Sequence, residues 1–545
     1  MKEWGMQVNL TKWSLEEKLG QLFICGFHSP EPDEQIQTLV GRYHVGGIVY
    51  FRRNIKSAAQ LADLSQSLQQ LSRHHQEVPL FISIDQEGGM VARLDHEGMS
   101  RIPGNMALGA ANDPMLTEEV ARLAAREMLA LGINFNFAPC VDVNNNPANP
   151  VIGVRSFGEH PNRVAAHGTA AIRGYQHEGV IATAKHFPGH GDTDVDSHLG
   201  LASVPHDRQR LRQVELLPFR AAIEAGVDAI MTAHVIFPAF EPEEAPATLS
   251  RRVLTDLLRG ELGYDGVIIT DCLEMQAIAR HFGVGEGAVR AIEAGADLVL
   301  VSHTLADQIA AIEAVTAAVR SGRISEEHID RSVERILALK QQRLGSSRPL
   351  EASTGAATIP LTPEAESGDI LRRAAEGSVT LVRDDGSLPI RLDQPVLVVW
   401  PELRHTTEVD EPAVYTYTLA EALQPLHYQV EVAVIGVYAS EQEINTVLER
   451  SAEFAQVVIA TYTAVGELDQ GQQTLVQRLL QQFGGKRIIV VSTRNPYDLR
   501  AFPEVGTYLC LYENRPPALD AVARVLVGRL QPQGVLPVSL TMNGK

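Results

Sequence analysis

Eight ionisable residues have types and positions that could work on one substrate: Asp85, Arg93, Arg155, Lys185, His186, Asp196, His198 and Asp271. Asp271 ends an apolar run, Val267-Ile268-Ile269-Thr270. One reading makes it the N-cap of a helix over Cys272–Arg280, a position that aspartate suits. The other makes it a carboxylate nucleophile aimed into a cleft, as a retaining glycosidase requires, with a proton donor about 5–5.5 Å away. Between His186 and His198 lie three histidines and three aspartates within thirteen residues. His with Asp can hold zinc or iron. The same residues suit acid/base work, because a carboxylate beside an imidazole fixes its tautomer and raises its pKa toward working pH. Asp196 and His198 flank a single serine and suit such a pair. A merely solvated polar loop is the third reading. Gly189 and Gly191 give that loop room to bend.

The other candidates suit recognition. Asp85 could accept hydrogen bonds from two adjacent sugar hydroxyls, or cap a loop. Arg93 and Arg155 have no obvious partner in sequence and could form salt bridges or grip ligand oxygens with their forked donors. Lys185 and His186 could donate to substrate hydroxyls. His234, in Thr232-Ala233-His234, is equally a cleft residue or a satisfied core histidine.

For these residues to meet, the chain must bring several strand ends to one place. Eight near-continuous apolar runs do so: Gln21–Phe27, Gly46–Phe51, Leu80–Gln86, Ile133–Val143, Val180–Phe187, Ala229–Phe237, Gly266–Asp271 and Ala296–Ser302. Such runs suit parallel strands buried on both faces. Amphipathic stretches separate them: Ala58–His75, Thr117–Leu131, Arg163–Glu178, Asp207–Ala225, Arg251–Leu262 and Leu305–Ser321. Gly132, Gly179, Gly226 and Gly295 follow helices as left-handed caps do. The pattern predicts an α/β fold whose first part, residues 1–345, is a (β/α)8 TIM-like barrel, with catalytic groups at the C-terminal strand ends. An open doubly wound sheet would need a glycine-rich first turn. Gly283-Val284-Gly285-Glu286-Gly287 has the wrong spacing and follows a late strand, which argues against a dinucleotide site. Residues 346–365, rich in Ser, Thr, Ala, Pro and Gly, read as a linker. Residues 366–545 carry a second pattern, with strands at Val379–Val382, Val396–Trp400, Val430–Ile435, Val457–Thr461, Arg487–Ser492 and Thr507–Tyr512 and helices near Glu443–Ala455 and Leu475–Phe483. They predict a C-terminal α/β sandwich domain.

Composition narrows the partners. The 545 residues are 45% hydrophobic and 21% charged, as in an ordinary globular protein. The net charge of -20 argues against nucleic acid or an anionic membrane surface. No apolar run approaches the roughly 20 residues that span a bilayer. Residues 1–20 lack the basic end and apolar middle of a secretory signal, so the expectation is a cytoplasmic protein or a mature chain whose signal was cut away. Cys25, Cys140, Cys272 and Cys510 lie far apart in or beside apolar runs, which predicts buried free thiols.

Taken together, the motifs resemble glycoside hydrolase family 3, in its β-N-acetylglucosaminidase branch. They are Ile84-Asp85-Gln86-Glu87-Gly88-Gly89 with Arg93, Asn149-Pro150-Val151-Ile152-Gly153 with Arg155-Ser156-Phe157-Gly158, Lys185 through Thr193 running on to Asp196-Ser197-His198, and Ile269-Thr270-Asp271 with Leu273 and Met275. The second domain resembles the sandwich of longer members, with a weaker match at Gly386-Ser387-Leu388-Pro389. The resemblance implies Asp271 as nucleophile, His198 as general acid/base assisted by Asp196, and Asp85, Arg93, Arg155, Lys185 and His186 around N-acetylglucosamine. It implies no metal and no cofactor. The activity implied is a retaining exo-β-N-acetylglucosaminidase acting on GlcNAc-containing muropeptides of peptidoglycan, with turnover through a covalent glycosyl-enzyme. A neutral histidine does not repel an anion, so a phosphorylase using phosphate in place of water is the alternative. A non-catalytic sugar-binding barrel would tolerate loss of Asp271 or His198, and both are present. Cys272, beside the expected nucleophile, raises the expectation of thiol sensitivity.

Overall fold

The computed structural model describes residues 10–194, 200–345, 364–402 and 416–540. Eight parallel strands form the first sheet: β1 (Phe23–Gly26), β2 (Gly47–Tyr50), β3 (Phe81–Ile84), β4 (Phe135–Asn136), β5 (Ile181–Phe187), β6 (Ala229–Thr232), β7 (Val267–Ile269) and β8 (Val299–Val301). They pair in the order β7-β6-β5-β4-β3-β2-β1-β8. A parallel bridge between Ile269 and Leu298 brings β7 to the edge of β8 and closes the ring. Every residue of these strands is buried, which explains why each run is apolar almost throughout. Gly179 and Gly295 take the left-handed conformation that ends a helix just before β5 and β8, with φ of 104° and 115°.

Three local expectations change. The fourth run was expected as a strand over Ile133–Val143, but only Phe135 and Asn136 join the sheet. Pro139 has no N–H to donate, and pairing survives beyond it only as a bridge from Cys140 to Lys185. The helix expected over Asp207–Ala225 is two helices, Arg208–Gln213 and Leu216–Glu224. It breaks where buried Glu215 turns its carboxylate to Arg210 and Asn145. The helix after β7 spans only Gln276–Ala279 and is capped by Met275, so Asp271 is not an N-cap.

The second sheet holds β9 (Thr380–Arg383), β10 (Val396–Glu402), β11 (Val430–Gly436), β12 (Gln456–Thr461), β13 (Ile488–Ser492) and β14 (Thr507–Cys510). Their order is β9-β14-β13-β12-β10-β11, parallel except for β9 against β14. Side chains alternate between two cores. Leu397, Val399, Val457, Ile459, Ile488 and Val490 face one, and Val396, Val398, Val458, Ala460, Ile489 and Val491 face the other. The first core also takes in Met106, Ala107, Ala110 and Val154 from the barrel, so the two units share apolar packing. The helix Glu364–Ser378 starts within the stretch expected as a linker and packs on the barrel helices Asn105–Ala111 and Pro114–Ala130. Residues 346–363 lie outside the described residues. Among the described residues, no helix is long and apolar enough to cross a membrane.

Candidate active site

Parallel pairing sends the C-terminal ends of all eight strands to one mouth, and the charged candidates gather there. Lys185, at the end of β5, places Nζ 2.8 Å from Asp85 Oδ1 and 2.7 Å from Glu87 Oε1. Arg155 holds Glu87 with both fork arms, Nη2 to Oε1 at 2.7 Å and Nε to Oε2 at 3.0 Å. Arg93 Nη2 lies 3.7 Å from Asp85 Oδ2. The Arg93 guanidinium also sits over the Phe51 ring, 5.6 Å from its centroid. Two carboxylates and three cations therefore form one compensated network. Within it the carboxylates differ in access: the Asp85 side chain is 20% exposed and the Glu87 side chain 2%. Asp85 can offer an oxygen to a ligand, while Glu87 is the buried counterion beneath it.

The charges follow this geometry. Burial favours the neutral form of Glu87, but Arg155 and Lys185 outweigh it and hold the carboxyl well below its usual range. Burial likewise opposes the Lys185 charge, and Asp85 and Glu87 overcome it, raising the pKa. Arg155 is raised by Glu87 against its own burial.

A second cluster orients His186. Asp142 is fully buried, and its Oδ2 accepts a hydrogen bond from His186 Nδ1 at 2.7 Å. Its other oxygen accepts the backbone N–H of His190 at 2.6 Å. Burial alone would raise Asp142, but His186 draws it down to about 2. With its ring proton on Nδ1, His186 turns Nε2 toward Arg155 Nη2, 3.4 Å away. Protein groups thus engage both ring nitrogens, and the imidazole links the Asp142 cluster to the Glu87 network. Asn149 staples the next loop: its amide donates to the carbonyls of His190 and Gly191, and its oxygen accepts from Val151 and Ile152 N–H. Burial lowers the pKa of His190 to about 4. His206 and Arg210 hold Asp192 at 2.5 and 3.7 Å.

Asp271 stands just beyond β7 at the same mouth, half-buried, with Oδ1 accepting the Cys272 N–H at 2.7 Å. Asp196 and His198 lie outside the described residues. His234 proves a satisfied core histidine, bonded to Thr248 Oγ1 at 2.8 Å and the Cys272 carbonyl at 2.9 Å. The structure thus brings together Asp85, Arg93, Arg155, Lys185 and His186, with Asp271 on the same rim. The reading from residues alone gave no role to the buried parts of the site: Glu87, Asp142 and Asn149. Glu87 carried a signal, since it sits two positions after Asp85.

Among the described residues, two groups bring metal-ligand atoms within 4.8 Å of one another, Cys140 with Asp142 and His186, and Cys272 with Glu274 and His303. In the first, Asp142 is already filled by protein donors and Arg155 abuts the imidazole, a poor setting for a dication. In the second, both Glu274 oxygens accept backbone N–H groups, from His303 and Thr304, and Arg53 Nη1 lies 3.2 Å from His303 Nδ1. All four cysteines are free and buried, as expected. Burial, then Glu274, pushes the Cys272 thiol up to about 12, which argues against the expected thiol sensitivity.

A closed parallel barrel with ionised groups converging on its C-terminal mouth, joined to an α/β sandwich, defines a two-domain barrel enzyme. Residues 14–339 match the family model described as the glycosyl hydrolase family 3 N terminal domain. The chain belongs to glycoside hydrolase family 3 and is a glycoside hydrolase. It is 34% identical to beta-hexosaminidase A of Pseudoalteromonas piscicida, over 93% of this chain and 91% of that one. It is 29% identical to a beta-N-acetylglucosaminidase/beta-glucosidase of Cellulomonas fimi, over 98% and 95%. A solved family 3 beta-N-acetylglucosaminidase from Paenibacillus sp. str. FPU-7 superposes with a TM-score of 0.93 at 51% identity, covering 97% of this chain and 99% of that one.

Proposed function

We propose that the protein is a retaining exo-β-N-acetylglucosaminidase. The observation that carries this reading is the compensated Asp85–Lys185–Glu87–Arg155 network facing the same mouth as the half-buried Asp271 carboxylate. The resemblance of the whole chain to β-N-acetylglucosaminidases supports the choice of sugar. In this reading Asp85 and Arg93 grip hydroxyls of the terminal GlcNAc, with Lys185, His186 and Arg155 behind them. Asp271 attacks the anomeric carbon while His198, assisted by Asp196, protonates the leaving oxygen. The C–O bond to the leaving group breaks as the ester to Asp271 forms. Water then gives a proton to His198 and attacks the anomeric carbon, releasing Asp271 and GlcNAc of retained configuration. The proposed substrate class is the GlcNAc-terminated muropeptides of peptidoglycan.

The test is turnover of a chromogenic β-N-acetylglucosaminide by chelator-treated enzyme, with and without phosphate, following the first-formed anomer by NMR. Release of β-GlcNAc without phosphate is expected. GlcNAc 1-phosphate as the main product would replace the hydrolase with a phosphorylase, and first-formed α-GlcNAc would refute the double displacement. Preference for a GlcNAc–GlcNAc disaccharide over a GlcNAc–anhydro-muramyl one would overturn the muropeptide assignment.

A further inference from the structure

Asp85, Glu87 and Arg93 ride on one excursion, residues 85–104, which leaves β3 and returns at the helix Asn105–Ala111. It folds on itself, Gln86–Gly88 pairing antiparallel with Val91–Ala92. Its return leg crosses its outgoing leg at two glycines: a Cβ on Gly89 would stand 2.6 Å from Gly104 Cα, and Gly89 has φ of +56°. A side chain at Gly89 does not fit that crossing, and a Cβ on Gly104 would press on Gly89 Cα at 3.3 Å.

The second domain closes the far side of the crossing. Shortly after β14, Glu513 is only 3% exposed, and its Oε2 accepts the Gly104 N–H at 2.8 Å. The same oxygen lies 3.6 Å from where a Cβ would stand on either glycine, so the carboxylate is seated on the crossing itself. Two residues on, Arg515 is 5% exposed and puts Nη2 3.5 Å from Asp95 Oδ2, just past Arg93. Arg515 Nη1 is buried with no hydrogen-bond partner. Burial pushes the Glu513 carboxyl up to about 7, with Arg515 and the Gly104 N–H opposing it. An acid buried this deeply needs a role, and the excursion it touches supplies one.

We infer that Glu513 and Arg515 are positioning residues: the second domain clamps the 85–104 excursion and thereby sets where Asp85, Glu87 and Arg93 meet the sugar. The inference rests on the sugar-binding roles proposed above. It gives the sandwich domain a part in catalysis without contact with the substrate. Loosening the clamp weakens binding of the sugar in ground and transition states alike, so the loss falls on KM more than on kcat. Displacing a binding group by about 1 Å can cost on the order of 100-fold, and a partial shift costs less.

The experiment uses full-length E513A, E513Q and R515M, reading kcat, KM, the GlcNAc dissociation constant by calorimetry, and the melting temperature. E513A is expected to raise KM and the GlcNAc dissociation constant about tenfold, with kcat changed less. E513Q keeps an oxygen that can accept from Gly104 and should recover most of the binding. R515M should raise KM in the same sense, and it reads the clamp by itself if E513A fails to fold. A lowered melting temperature with unchanged KM and GlcNAc affinity in folded E513A or R515M would overturn the inference. Wild-type enzyme that neither binds nor releases GlcNAc would instead sink the proposed function, and D85A, expected to lose sugar binding whatever Glu513 does, separates the two failures.

Discussion

Glu87→Gln is the sharpest probe of the mouth. The Glu87 carboxylate is buried and accepts three charged donors: Lys185 Nζ at 2.7 Å and two arms of Arg155 at 2.7 and 3.0 Å. The amide keeps the shape but removes the charge, and one of its ends presents N–H to a donor. Lys185 and Arg155 then remain buried, with Asp85 as the carboxylate still bonded to Lys185. Leaving one side of a buried ion pair uncompensated costs about 3–5 kcal/mol. The Coulomb attraction across these contacts is larger, but desolvation of the ions offsets most of it. Urea unfolding of E87Q should therefore show a loss of about 3 kcal/mol or more. If half of that is also lost from the transition state, kcat/KM on a chromogenic β-N-acetylglucosaminide falls roughly tenfold or more. A double-mutant cycle with Arg155→Met should show coupling above about 1 kcal/mol, because both residues share the bidentate contact. The native pKa of Glu87 is depressed, so its contribution is fully present above the ordinary carboxylate value of 4.5 and is lost as acid drives the pH down through the native value. E87Q should erase that part of the acid lability. An E87Q enzyme within about 1 kcal/mol of wild type in stability and with unchanged kcat/KM would refute the buried-counterion argument.

Asp271→Ala should nearly abolish turnover while preserving the fold and GlcNAc binding; ordinary activity in the full-length variant would remove Asp271 from the nucleophile's role. His198→Ala and Asp196→Ala should slow turnover about 10²–10⁴-fold and about tenfold or more respectively, checked on substrates with good and poor leaving groups. Native enzyme should keep its activity in iodoacetamide at pH 8, because burial pushes the Cys272 thiol up to about 12; fast inactivation traced to Cys272 would contradict this. Lys340 plugs the barrel floor, bonded to Gln21 Oε1 and the Gly46 carbonyl, and burial lowers its pKa to about 7. Between about pH 7 and 10.5 the unfolded chain binds the extra proton, so stability rises with pH there. Relative to Lys340→Met, wild type should gain about 4 kcal/mol from pH 7 to pH 10, and parallel stability curves would refute the shift.

What was legible in sequence depended on how far apart the interacting residues lie. The eight barrel strands were readable because burial on both faces makes each run apolar throughout, and Gly179 and Gly295 mark the preceding helix ends by a conformation glycine favours. The break at Glu215 was not readable. A helix pattern is local, whereas that break is set by Asn145, 70 positions away, and by Arg210 drawing the carboxylate inward. The same holds for Asp271: its helix-capping potential was visible, but whether a helix follows directly depends on how the chain after β7 packs against β8.

The mouth divides along the same line, and the division has a physical cause. Residues proposed to work on the sugar sit at or near strand ends, where a charged side chain interrupts an apolar run and stands out; Asp85, Lys185 and Asp271 are all of this kind. Residues that hold them are chosen by a partner instead. Glu87 answers Arg155, 68 positions on, and Asp142 answers His186, 44 positions on. Glu513 answers a backbone N–H 409 positions earlier. Glu513 also ends an apolar run, but the sequence around it does not show its partner, because its significance comes from burial against two glycines of the other domain. Binding chemistry is thus written locally, while the contacts that hold it exist only after the barrel has folded and, for Glu513, the domains have packed. Enzymes sharing the mouth residues can then differ in sugar affinity through this remote bracing alone, and exchange of the 511–515 segment would be the way to tune it.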